Sequence, residues 1–165
     1  MQKSIQRNSS VSLRGWLAGV ILASVGFSLP AMAVLGGDAS SVQIDQSHMR
    51  ASIEVKQPSG AEYSVHEMKS TGKMVVREFV SSDGRVFGVA WQGTYVPDLQ
   101  QLLGTYFQQY TAAVKEAKAK YVARRPLNIQ KPGLVVQTSG HMMAYWGRAY
   151  DPSLVPSGVN PNEIR

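Results

Sequence analysis

Between Lys73 and Tyr121 the chain carries two signals that leave little choice of fold: a tight turn between two extended runs, and an apolar repeat at helical spacing. The first reads KMVVREFV, SSDG, RVFGVAWQ, and Asp83-Gly84 supplies residues that tolerate the positive φ angles a turn between twisted strands favours. On the second run Phe87, Val89 and Trp91 alternate with Gly88 and Ala90, which predicts one bulky face and one nearly bare one. Asp98 stands where a helix N-cap is wanted, with Gln101 three residues on as a capping-box partner. Leu99, Leu102, Leu103, Tyr106, Phe107, Tyr110, Ala113, Val114, Ala117 and Tyr121 then recur every three or four residues. The spacing predicts one amphipathic helix of about 23 residues, ~35 Å long, covering the bulky face of the hairpin.

The flanks extend this unit. Gln57-Pro58-Ser59-Gly60 is a turn signal between Ser52–Lys56 and Ala61–Lys69, and Ser70-Thr71-Gly72 leads into the strand Lys73–Val80. Loops this short join only antiparallel neighbours, so the runs form a meander. Upstream, Asp38, Ser40 or Ser41 caps a short helix through about Arg50. Downstream, Pro126 ends the long helix and 126–133 reads as a loop. Leu134–Thr138 and His141–Arg148 read as one bent strand interrupted at Ser139-Gly140. Pro152, Pro156 and Pro161 make 151–165 an extended tail. The expectation is a single α+β domain over 34–150. It has an antiparallel sheet of four to five strands, the meander plus one strand after the helix, with one long amphipathic helix packed on one face.

Residues 1–33 have the parts of a secretory signal: Lys3, Arg7 and Arg14, an uncharged apolar run from Trp16 to Pro30, and Ala31-Met32-Ala33 as a cleavage site. The apolar run would reach only ~22 Å, short of a ~30 Å hydrocarbon core. The expected location is therefore periplasmic or extracellular, with no transmembrane span after cleavage. Three of the 17 basic residues lie in that leader, leaving 14 against 11 acidic ones. So mild an excess does not point to nucleic acid. With no cysteine, disulfides and thiolate metal sites are ruled out.

No catalytic, cofactor or metal residue is assigned. His48, His66 and His141 lack the paired spacing of metal ligands, and His66-Glu67 are strand neighbours that point to opposite faces. No serine-nucleophile signature is present, and Glu62, Glu67, Glu78 and Asp83 fall at turns or on alternating strand positions. Two clusters suggest binding. Tyr145, Trp146, Arg148 and Tyr150 put three aromatics and a guanidinium within six residues, a composition favoured at binding surfaces, although Trp146 packing into the sheet is the plainer reading. Lys115, Lys118, Lys120, Arg124, Arg125 and Lys131 suit an anionic partner, but most of them sit where cations favour the end of a helix.

Several segments carry a resemblance: YSVHE from Tyr63, VREFVS from Val76, VFGVAWQG from Val86, PDL from Pro97, QLLG from Gln101, GRAY from Gly147, and NEIR from Asn162. Through them the chain resembles a family of short, exported, uncharacterised proteobacterial proteins that carry a domain of unknown function. The resemblance implies export and a single domain, and brings no activity or site residue with it. The expected function is that of a non-enzymatic envelope or secreted protein binding a partner. Two alternatives are a hydrolase of cell-wall or extracellular polymer built on His66 and a carboxylate, and an assembly factor working by edge-strand addition.

Overall fold

The computed structural model of the chain describes residues 35–120 and 126–165; the leader, Tyr121, Arg124 and Arg125 lie outside the described residues, as do the side chains of Ser41, Ile44 and 118–120. Asp38 accepts the Ser40 N–H at 2.8 Å and caps a 3-10 turn, Ala39–Ser41, that runs into α1 (Val42–Met49). Four strands follow: β1 (Ala51–Lys56), β2 (Tyr63–Ser70), β3 (Val75–Ser81) and β4 (Val86–Gly93). Asp98 caps α2 (Leu99–Leu103), accepting the Gln100 and Gln101 N–H groups at 2.9 and 3.2 Å. After α3 (Phe107–Lys120) come β5 (Leu127–Lys131), β6 (Leu134–His141) and β7 (Ala144–Tyr150).

All seven strands form one antiparallel sheet in the order β1-β2-β3-β4-β7-β6-β5. Two meanders, β1 to β4 and β5 to β7, are thus joined by the pairing of β4 with β7. This corrects the expected four to five strands. The segment 126–133 is not a loop: β5 turns at Pro132-Gly133 straight into β6, with Lys131 paired to Leu134. Ser139-Gly140 lies inside β6, not at a break, and the chain reverses at Met142-Met143, between the paired His141 and Ala144. Met143 takes a φ of 66° there, a conformation that bulky side chains rarely adopt and that Met-Met does not advertise.

The helical run from Leu99 is present but changes step. Gly104 has φ 47° and ψ −116°, which a residue with a β-carbon avoids, and a 3-10 turn at Gly104–Tyr106 separates α2 from α3. Tyr106 donates its hydroxyl proton to Asp151 Oδ2 at 2.6 Å, tying this turn to the start of the tail.

A β-bulge also overturns the expected bulky face. Phe79 pairs with Gly88 but Val80 pairs with Val86, so Phe87 is an extra residue on β4 and turns away from Val89 and Trp91. Val89 and Trp91 join Met68, Val76, Leu134 and Val136 under Leu102, Leu103 and Ala113 of the helices. Phe87 joins Tyr63, Val65, Phe79 and Ala90 on the opposite face, with the Tyr63 ring edge-on to it at 5.7 Å. The cover on that face is the tail. Ile164 is fully buried there, Leu154, Val155 and Val159 pack beside it, and Tyr63 donates to Glu163 Oε2 at 2.8 Å. Residues 151–165 therefore lie on the sheet as its second layer. Truncating a fully buried Ile removes that cover and leaves a cavity, so Ile164→Ala should cost about 2 to 5 kcal/mol in urea unfolding. A variant as stable as the parent would mean that the tail is not part of the core.

Candidate functional site

Position 147 decides how β7 sits. A β-carbon on Gly147 would lie 2.3 Å from Trp91 Cζ2, so the indole packs directly against the β7 backbone on the helix side. Alternation then sends Trp146, Arg148 and Tyr150 to the tail side. The four aromatic and basic residues singled out from the sequence are accordingly divided. Trp146 and Arg148 come together in one cleft of about 390 Å³, with Arg77, Gln92, Gln137, Asn162, Ile164 and Arg165. Tyr145 borders a second hollow on the helix side with Leu99, Tyr110 and Met142, whose rim Trp146 also lines. Tyr150 packs half-buried against the Phe87 core. Trp146 is 51% exposed, so it does not pack into the sheet; Trp91 does.

The cleft sits on a polar rung that crosses the whole sheet. Register places Glu54, Glu67, Arg77, Ala90, Arg148, Gln137 and Asn128 side by side on successive strands. At the β2 end the cations are balanced. Glu67 is buried and bound by Lys69 at 2.9 Å, Lys56 at 3.0 Å and Arg77 at 2.6 Å. Chiefly through Lys69, these bonds overcome its burial and hold its carboxyl down to about 2. At the β7 end they are not balanced. Arg148 donates to Gln137 Oε1 at 2.7 Å, the Pro161 carbonyl at 2.9 Å, Asn162 Oδ1 at 3.1 Å and the Ile164 carbonyl at 3.4 Å, all neutral acceptors. Among the described residues neither Arg148 nor Arg165 has a carboxylate partner. Arg148 therefore fastens the tail and leaves its charge in the cleft.

The histidines do not assemble. His48 is on α1, His66 on β2 and His141 at the end of β6, and among the described residues no group of three His, Cys, Asp or Glu is arranged to hold a metal ion. His66 Nε2 lies 3.1 Å from Ser64 Oγ, and burial lowers its pKa. Of the basic cluster around the helix end, Lys131 pairs with Glu116 at 2.9 Å, while the groups at 118, 120, 124 and 125 lie outside the described residues.

Residues 31–164 match the family model DUF2844, described as a protein of unknown function. This chain belongs to the DUF2844 family. The match runs through the tail, so the residues that roof the cleft, Asn162 and Ile164, are part of the DUF2844 domain. No curated protein and no solved structure matches the chain. Among the described residues no helix of this DUF2844 protein is long and apolar enough to cross a membrane.

The DUF2844 domain also buries a pair of acids that sequence reading passed over. Asp45 of α1 and Glu78 of β3 are 0% and 1% exposed, and Gln101 of α2 donates to Asp45 Oδ1. Burial, then the neighbouring Asp45, raises the Glu78 pKa well above the ordinary carboxyl value, and burial raises that of Asp45 as well, so the protonated form is favoured at this pair. The approach is imperfect: neither Glu78 oxygen nor Asp45 Oδ2 has a well-aligned hydrogen-bond partner. The signal for Glu78 was its place between Val76 and Val80 in an apolar file on β3.

The signs of these shifts give a two-sided pH profile. The raised Glu78 value stabilises the fold below about 4.5, and that contribution is lost as pH rises through the folded-state value. The lowered Glu67 value stabilises above its ordinary pKa and is lost as pH falls from 4.5 toward about 2. Thermal unfolding across pH should show Glu78→Gln flattening the loss on the alkaline side while leaving the acid side unchanged. An unaltered alkaline slope would mean that the pair is not its source.

Proposed function

We propose that this DUF2844 protein is exported and acts without catalysis, by binding an envelope or extracellular partner at the Trp146–Arg148 cleft. The observation that carries the reading is a half-exposed indole beside a guanidinium whose hydrogen bonds all go to neutral groups. A large aromatic left in water and a cation left without a counter-ion are both groups that a bound partner would satisfy. The leader at 1–33, with its basic start, apolar run and small-residue cleavage site, supports export. A hydrolase centred on His66 draws less support: its ring lies 3.1 Å from Ser64 Oγ, but among the described residues no carboxylate is bonded to the ring to orient it as a base.

Co-sedimentation with isolated envelope fractions tests this directly. Trp146→Ala removes the exposed ring without disturbing the Arg148 bonds, and should weaken retention by about tenfold or more. Val55→Ser, on the exposed edge strand β1, should leave retention unchanged. Equal retention of the Trp146 variant and the parent would exclude the cleft as the binding site.

A further inference from the structure

We infer that the Trp146–Arg148 cleft takes an acidic polysaccharide, a chain of pyranose rings bearing carboxylates; this rests on the binding reading above and specifies its ligand. Four features converge on that class. The cleft lies over the middle of the sheet, where β4 is paired on both sides by β3 and β7, and β7 by β4 and β6. No strand edge is available there, so a peptide cannot be read through its main chain and recognition falls to side chains.

Those side chains are mostly donors. A guanidinium only donates, so Arg148 draws the amide oxygens of Gln137 and Asn162 toward itself and leaves their NH₂ groups for other partners. Gln137 spends one weakly, on Asn128 at 3.5 Å. Gln92 and Arg165 line the same cleft, and no hydrogen bond holds either side chain among the described residues. A wall of donors selects a ligand rich in acceptors, as a polyhydroxylated acid is. The charge is complementary as well, since Arg148 and Arg165 are not neutralised by any carboxylate among the described residues. Finally, the indole face of Trp146 carries negative quadrupole density, which suits the apolar C–H face of a sugar ring. At about 390 Å³ the cleft is at the small end of ligand sites, with room for a short stretch of polymer.

Calorimetry on the purified protein with short oligogalacturonides tests the assignment, against neutral malto-oligosaccharides of equal length and poly-glutamate. The oligogalacturonide should bind at least about tenfold more tightly than either comparator, and less tightly as salt is raised. Trp146→Ala should cost about tenfold or more. Arg165→Gln should weaken binding severalfold and flatten the salt dependence, with circular dichroism showing both variants folded. Equal affinity for poly-glutamate, equal affinity for the neutral sugar, indifference to Trp146→Ala, or no binding would each overturn the inference. If the oligogalacturonide fails while Trp146→Ala still loses envelope retention, the ligand class falls and the site stands. If retention is also unchanged, both fall.

Discussion

The two halves of the sheet meet along one seam, the pairing of β4 with β7, and it closes only because position 147 has no side chain. Trp91 occupies the space where a β-carbon would be, so the indole seals the joint from the helix side. Everything on the other side follows from that contact. With β7 held against β4, Trp146 is set beside Gln92 and Arg148 beside Ala90, one strand away from Arg77. The cleft is therefore assembled by the seam from residues that are far apart in the sequence.

Charge is distributed unevenly along the rung that crosses this face. At one end Glu67 gathers three cations and is satisfied by them. Ala90 then leaves a gap with no polar group, and beyond it Arg148 is bonded to amides and carbonyls alone. The same guanidinium both pins the tail and sets the potential of the cleft, so the wall of the site and its charge depend on one side chain. On the opposite face the domain tolerates an arrangement of the reverse kind. Asp45 and Glu78 are kept from solvent side by side, and their burial, which raises the pKa of both, ties the docking of α1 to protonation.

Much of this was legible in the sequence where local chemistry dominates. The Asp98 cap, the helical repeat after it, the Asp83-Gly84 turn and the Gln57–Gly60 turn all rest on neighbouring residues, and all are present. What escaped was set at a distance. The short strand β5 has one buried residue, Ile129, too little alternation to stand out. The β6–β7 reversal uses Met-Met where a turn would favour Asn-Gly, and the bulge at Phe87 is visible only once β3 lies alongside. For the site, the aromatic and basic composition of β7 singled out Trp146 and Arg148. Strand alternation also separates Tyr145 from them, but Gln92, Arg77 and Asn162 join only through the sheet register and the fold-back of the tail.

That fold-back has a consequence for the order in which the domain forms. The hydrogen bond from Tyr63 to Glu163 closes a loop of 100 residues, and the second core stays open until Ile164 arrives. Contacts of such long range form late and slowly, because the chain entropy of closing the loop comes before any gain from packing. The helix side can collapse around local hairpins, while Phe79 and Phe87 stay exposed until the final residues are in place. A growing chain would thus carry this aromatic face uncovered from the completion of β4 until Ile164 is added.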